Sequence, residues 1–203
     1  MRSLHLLKDD AEAERFIPEI STWVHDAGNP YYDWFLGGPE RASEILAGWM
    51  KRGSSEISIR RAALLDEDGR ILGGFIALDG AQLAKCRQAD MLALFTKMGS
   101  DKQFENRMKS SQSLFQKVEP DDFYLSKIGV GVDSRGKGLG REIMAEYLAA
   151  GKKAGLRRFR LDVSASNLVA VRLYQSFGFE IVGQSSIPET EIEYLAMTKP
   201  VEP

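Results

Sequence analysis

Residues 123–141 read FYLSKIGVGVDSRGKGLGR, and this stretch decides the expected fold. The apolar run from Phe123 to Val132 predicts a strand, and the glycines that follow predict a turn. Apolar residues then recur at helical spacing, at Leu139, Ile143, Met144, Tyr147 and Leu148. A strand, a glycine turn and a helix in this order indicate an α/β domain.

The flanking segments extend the α/β pattern in both directions. Downstream, we predict a strand at 159–163, a helix through Phe177, and strands around 180–182 and 192–198. Upstream, we predict a strand at 4–7, a helix to about Val24, an aromatic loop at 28–35, a helix from Pro39 to near Gly53, and a hairpin of 57–65 with 71–78. The order favours a single domain over residues 1–203 with a mixed sheet.

Residues 80–120 form an insertion with two predicted helices, which are joined near Gly99. Two interpretations of this insertion stay open. It is either a packed helical excursion or a lid or wall over a substrate site, because long excursions between strands often carry function.

Composition excludes several classes of protein. The 203 residues carry a net charge of −2, which argues against a protein that coats nucleic acid or an anionic membrane. A single cysteine, Cys86, excludes an internal disulfide framework, and only two histidines, His5 and His25, argue against a metal centre. No apolar run is long enough to span a membrane, so we expect a cytoplasmic protein.

The three glycines of the turn predict an anion site. Gly136, Gly138 and Gly140 allow backbone N–H groups to converge at the start of a helix, where the helix dipole favours phosphate. Residues 131–138 fit the nucleotide phosphate-loop pattern except at its last place, where Gly138 replaces the hydroxyl that binds magnesium. A pyrophosphate held without magnesium, as in coenzyme A, suits the loop better. A nucleotide-binding protein stays as the alternative.

Two blocks of residues resemble the GNAT superfamily of acyl-CoA-dependent N-acetyltransferases. Arg135, Gly138 and Gly140 match its Gln/Arg-x-x-Gly-x-Gly/Ala signature. Asn167, Ala170, Leu173, Tyr174, Phe177, Gly178 and Phe179 are similar to its second block, a helix and the turn after it. The resemblance is sharpest over residues 121–183, and it implies a mostly antiparallel mixed sheet with a splayed central strand pair flanked by helices.

The resemblance also implies acetyl transfer from acetyl-CoA to a primary amine in a ternary complex, without a metal. The implied cofactor-binding residues are Ile128, Gly129, Val130, Arg135, Gly136, Lys137, Gly138, Leu139, Gly140, Arg141 and Asn167. Tyr174 occupies the family's general-acid position, although a tyrosine on such a helix face is also ordinary packing. Asn167 fits either a helix cap or a cofactor contact.

The acceptor side of the site is less determined. Tyr31, Tyr32, Trp34 and Tyr124 are candidate substrate residues, although the three from the aromatic segment could equally fill the core. Asp122, Tyr124 and Ser126 share one strand face and are candidates for the proton acceptor. No base is assigned, so a non-catalytic acyl-CoA-binding module stays as an alternative. Edge strands near the C terminus are compatible with a homodimer, as in many members of the family.

Overall fold

The computed structural model describes residues 2–7 and 10–201, with only the backbone of residues 10–13. The strands within these ranges are β1 (Arg2–Leu6), β2 (Ala62–Glu67), β3 (Arg70–Asp79), β4 (Asp122–Val130), β5 (Arg158–Ser164), β6 (Glu180–Ser186) and β7 (Glu193–Pro200). The helices are α1 (Asp10–Gly28), α2 (Tyr31–Leu36), α3 (Pro39–Lys51), α4 (Gly80–Met98), α5 (Lys102–Ser110), α6 (Leu139–Lys153) and α7 (Leu168–Ser176). No described helix is both long enough and apolar enough to cross a membrane.

The strands form one mixed sheet in the order β1-β2-β3-β4-β5-β7-β6, in which only the β4–β5 pair is parallel. That pair is short: it runs from Asp122 opposite Arg158 to Leu125 opposite Leu161, and the strands then diverge. A bulge at Ser126 lies at the point of divergence, because Ile76 and Ala77 of β3 pair with Lys127 and Leu125. Such a bulge bends its strand. The predicted splayed central pair is confirmed.

Helices cover both faces of the sheet. On one face, α1, α2, α3 and α5 bury apolar side chains such as Ile20, Leu46 and Phe104 against the strands. On the other face, α6 and α7 pack through residues such as Ile143 and Tyr147. The gap between β4 and β5 therefore opens in the middle of a sheet that is firmly held on both sides.

The structure differs from the sequence prediction in two upstream segments. The aromatic stretch is a short helix, α2, because Tyr31 stacks on Phe35 one turn later, with ring centres 5.1 Å apart, and Gly37 ends the helix at a φ of 91°. The hairpin begins at Ala62 rather than at Ile57. Residues 57–61 instead form a loop and a 3₁₀ turn, because Arg61 holds the carbonyls of Gly53 and Ser55.

The insertion contains the two predicted helices. Asp79 caps α4 by accepting from the Gln82 amide, and Asp101 caps α5 by accepting from the amides of Gln103 and Phe104. Leu83, Cys86, Leu94 and Met98 bury one side of α4. Burial raises the pKa of the Cys86 thiol, so this cysteine is a small core residue.

Two helical glycines make a matched test of this packing. A Cβ at Gly151 would lie 2.3 Å from the Phe159 ring and 2.6 Å from the Phe123 ring, whereas a Cβ at Gly48 meets nothing within 4 Å. We expect Gly151→Ala to lower the free energy of unfolding by about 1–3 kcal/mol, because the overpacking outweighs the gain in helix propensity. Gly48→Ala should raise it by about 0.5–1 kcal/mol. Urea unfolding measures both free energies. A Gly151→Ala protein as stable as the unmodified protein would contradict the close packing of Gly151 against Phe159 and Phe123.

Candidate active site

A cavity of about 390 Å³ occupies the gap between β4 and β5. Its walls come from β4, the glycine loop, β5 and α7, and they include Ile128, Gly129, Val130, Arg135, Gly136, Gly138, Leu139, Gly140, Asp162, Asn167, Leu173 and Tyr174. Nine of the eleven residues that were implied to bind a cofactor therefore line one cavity. Lys137 and Arg141 do not line it. Lys137 donates to the Asp133 carbonyl, and Arg141 donates to Ser176 and stacks over Phe177.

Backbone groups of β4 point into this gap. The Gly131 amide donates to the Leu72 carbonyl (2.9 Å), so the backbone of Gly131 faces β3. Residues of an antiparallel ladder alternate, so Val130 and Ile128 direct their N–H and C=O groups away from β3 and into the gap. The two N–H groups and the Ile128 carbonyl can bind an extended ligand as an added strand would, whereas the Val130 carbonyl accepts from Arg135 Nε at 3.3 Å.

The glycine at position 129 is required by its other neighbour. A Cβ there would lie 2.6 Å from the Trp23 indole of α1, so only glycine allows this helix to pack against the strand. The neighbour that comes close to Gly129 is therefore Trp23.

The loop before α6 presents a group of unpaired amides. Gly136 and Gly138 both have a φ of 77°, a conformation that favours glycine, and Gly138 is the residue before the first helical turn. None of the described residues accepts a hydrogen bond from the amides of Gly136 to Gly140. These N–H groups and the N terminus of α6 form a cradle for an anion. Arg135 closes one side, donating to Val130 O and pairing with Asp26 at 2.7 Å.

Two residues of α7 face the same cavity. Asn167 caps the helix by accepting from the Ala170 amide (3.1 Å), as one of its two expected roles requires, and it also forms part of the cavity wall. Tyr174 is buried, and within the described ranges its hydroxyl has no hydrogen-bond partner. Burial raises the pKa of Tyr174 well above its usual value, so the hydroxyl keeps its proton at neutral pH.

A second cavity, of about 210 Å³, adjoins the first, and both are lined by Ala27, Ser126, Lys127 and Asp162. Its apolar walls are the side chains of Tyr31, Tyr32, Phe35, Trp49, Met91, Phe115, Tyr124 and Tyr194. The aromatic residues Tyr31, Tyr32 and Tyr124, named from the sequence, lie in this wall, whereas Trp34 does not. We refer to the two spaces as the cofactor cavity and the acceptor cavity, after the ligands that we propose for them below.

The sequence model of the acetyltransferase (GNAT) family matches residues 31–179 of this chain. The chain belongs to the GNAT acetyltransferase family. No curated protein matches it in sequence.

Solved structures agree with this fold. An N-acetyltransferase from Staphylococcus aureus Mu50 superimposes with a TM-score of 0.72 at 14% identity, over 97% of this chain and 100% of the other. The ribosomal-protein-S18-alanine N-acetyltransferase of Escherichia coli gives 0.55 at 17% identity, over 99% and 94%. A protein of Salmonella typhimurium, yncA, whose structure contains its cofactor acetyl-CoA, gives 0.57 at 14% identity, over 100% and 95%.

The acceptor cavity of this GNAT protein also contains a charged network that was not foreseen from the sequence. Arg87 of α4 pairs with Glu56 (Nε to Oε2, 3.0 Å) and donates to the Tyr124 hydroxyl (3.0 Å). That hydroxyl donates to Asp162 Oδ2 (3.0 Å), and Arg160 holds Asp162 Oδ1 (3.0 Å). The network connects the insertion, the loop before β2, and strands β4 and β5. The insertion is thus packed against the rest of the domain through α4 and also forms part of the wall of the acceptor cavity.

Two carboxylates of the network have pKa values shifted in opposite directions. Burial raises the pKa of Asp162, and the nearby Arg160 and Arg87 offset this only in part. Burial also acts to raise the pKa of Glu56, but Arg87, Lys127 and the Ser126 hydroxyl together lower it below its usual value. Asp162 is therefore the more basic of the two, and Glu56 stays ionised. Opposite shifts of this kind are typical of catalytic sites.

Of the three strand residues considered as proton acceptors, Tyr124 and Ser126 line the acceptor cavity and Asp122 does not. Asp122 is 1% exposed, holds Arg158 through both carboxylate oxygens and accepts from the Glu119 amide, all outside both cavities. His25 pairs with Asp33, and neither His25 nor His5 lines a cavity. Among the described residues there is no cluster of three or more His, Cys, Asp or Glu side chains suited to a metal ion.

Proposed function

We propose that this protein transfers an acetyl group from acetyl-CoA to a primary amine by direct attack in a ternary complex. The observation that carries the proposal is the junction of the two cavities. Unpaired amides and Tyr174 line one side of it, and a buried carboxylate with a raised pKa, Asp162, lines both. An acyl donor and an acceptor that occupy these cavities would meet at Asp162.

The hydrogen-bond donors that line the cofactor cavity suit coenzyme A. The amides of residues 136–140 would hold the pyrophosphate, and the backbone groups of Ile128 and Val130 would bind the pantetheine arm. When bound, acetyl-CoA supplies a thioester that carries the acetyl group. The Val130 N–H would donate to the carbonyl oxygen, an arrangement worth about 3–4 kcal/mol in other enzymes.

Proton transfers fall to two side chains. Asp162 would accept the proton of the attacking amine, directly or through water, because its raised pKa makes it the better base. Tyr174 would protonate the leaving thiolate, because its hydroxyl is protonated and free of other partners. Glu56 and Arg87 would hold the Tyr124 hydroxyl and Asp162 in place. The single cysteine suits a reducing compartment, and we expect the cytoplasm.

Isothermal titration with acetyl-CoA, in parallel with ATP and magnesium, tests the proposed cofactor first. We expect micromolar acetyl-CoA binding without metal, followed by release of free thiol when amine acceptors are added. Acetyl-CoA binding without product from any amine would support a non-catalytic binding module. ATP binding that depends on magnesium would support a nucleotide-binding protein instead.

A glycine pair tests the role of the amide cradle. Gly138→Ala places a Cβ on a residue with a φ of 77°, which strains the loop and turns its amides. We expect acetyl-CoA binding to weaken about 10-fold, the loss of roughly one charge-assisted hydrogen bond. Gly69→Ala introduces the same strain at a φ of 83° in the β2–β3 turn, and this control should bind acetyl-CoA normally. Equal Kd values for the two variants would contradict the cradle.

A further inference from the structure

One charged side chain of the acceptor cavity lacks an ion-pair partner among the described residues. Each of its three carboxylates is held by a guanidinium: Glu56 by Arg87 of the same wall, and Asp90 and Asp162 by Arg52 and Arg160, which do not line the cavity. The second cation of the wall, Lys127, forms no ion pair with any carboxylate in the described parts of the chain. Lys127 is therefore a cation of this wall that has no carboxylate in direct contact, although Glu56 and Asp162 are close enough to act on it.

Lys127 is also short of hydrogen-bond partners. Its ammonium can donate three hydrogen bonds, and the structure gives it one, to the Ser126 carbonyl at 2.9 Å. Its Nζ lies 5.1 Å from the centre of the Tyr32 ring, over an aromatic face that tolerates a cation without neutralising it. Burial lowers the pKa of Lys127, and Glu56 and Asp162 are close enough to offset this only in part. A bound anion would supply the missing partner.

The β4 bulge explains why the lysine lies here. Neighbouring residues of a regular strand point to opposite faces, but the extra residue at Ser126 disturbs this alternation. As a result Ser126 and Lys127 both line the two cavities. Lys127 is thereby placed beside Asp162, the proposed base.

We propose that the acceptor is a small amine of the amino-acid type, whose carboxylate binds Lys127 while its amine faces Asp162. The inference rests on the proposed acetyl transfer and names its substrate class. The size of the cavity supports it, because about 210 Å³ is below the usual range for ligand sites. A peptide N terminus carries a neutral amide where this site offers a cation, and a polyamine would add like charge beside Lys127.

The first test compares matched acceptors on the unmodified protein. The twenty standard amino acids are supplied with acetyl-CoA as free acids, as carboxamides and as the decarboxylated amines. We expect at least one free acid to have a kcat/KM at least 10-fold above its amide and its amine, the effect of one charge-assisted hydrogen bond. Amides or amines that react as well as the acids would overturn the inference while leaving acetyl transfer intact. If no free acid were acetylated, the inference would also be overturned. Titration with acetyl-CoA would then test the proposed function separately.

The second test removes the charge. Lys127→Met should lower kcat/KM for the preferred acid about 10- to 100-fold and change that of the decarboxylated amine less than 3-fold, whereas Lys127→Arg should keep the preference. Lys85→Met, on the exposed side of α4, removes the same charge as a control. Titration of the acid into the CoA-bound protein should show a matching loss of affinity in Lys127→Met. An equal loss for acid and amine would place Lys127 in the chemistry and overturn its role in specificity.

Discussion

Asp162→Asn is expected to lower kcat/KM by about 10²–10³-fold, because the amide cannot accept the proton of the attacking amine. Only the ionised carboxylate accepts a proton, so the activity of the unmodified protein should fall as pH decreases through the pKa of Asp162. Because burial raises that pKa, the fall should begin at a higher pH than an exposed aspartate would give. In Asp162→Asn this acidic limb of the pH profile should disappear.

The same substitution at a surface aspartate is the control for this experiment. Asp121 is about half exposed, pairs with Arg157 and lies outside both cavities, so Asp121→Asn should leave the profile unchanged. Thermal unfolding of both variants separates catalysis from stability, because Asp162 also holds the buried Arg160. A folded Asp162→Asn protein that keeps its acidic limb would rule out Asp162 as the base.

Tyr174→Phe is expected to lower kcat about 100-fold with little change in the Kd of acetyl-CoA. The hydroxyl is the proposed proton donor to the thiolate, and its removal leaves the ring in place. We expect an effect at the lower end of the range for general acids, because the raised pKa of Tyr174 reduces the driving force for proton transfer. Steady-state kinetics with a reactive amine and titration with acetyl-CoA measure the two quantities.

Tyr147→Phe is the matched control for Tyr174→Phe. The Tyr147 hydroxyl is fully buried and donates to the Phe123 carbonyl at 2.7 Å, away from both cavities. Its loss should lower the free energy of unfolding by about 1–2 kcal/mol and leave kcat unchanged. If Tyr174→Phe turned over at the normal rate, the general-acid role would have to be withdrawn.

The wall of the cofactor cavity could be predicted because its signals are local. Gly136, Gly138 and Gly140 lie between a predicted strand and a predicted helix, and backbone amides at such a junction converge whatever surrounds them. Asn167 and Tyr174 are seven residues apart on one helix, so both reach the same side. The side chains of Lys137 and Arg141 were harder to place, because long cations at a surface find partners that the sequence does not specify.

The acceptor side could not be predicted in the same way. Glu56 lies just before the segment predicted as a strand, 57–65, and belongs to a loop held by Asp90 of the insertion through the Ser55 hydroxyl and the Glu56 amide. In the sequence Arg87 appeared to be one charge among many on a helix. A carboxylate at Asp162, in an apolar strand immediately before the Asn167 block, was the signal that could have indicated a buried functional group.

The sequence by itself determined the order of the seven strands and of every helix except α2, the glycine turn before α6 and the helix that carries Tyr174. Each of these depends on residues close together in the chain, whose periodicity and backbone freedom are visible without the fold. Only the tertiary structure decided the acceptor cavity. Glu56, Arg87, Lys127 and Asp162 come from four separate segments. They meet because the β4 bulge and the parting of β4 from β5 leave a space that the insertion closes, and the charges and pKa values that determine the chemistry exist only once that space is formed.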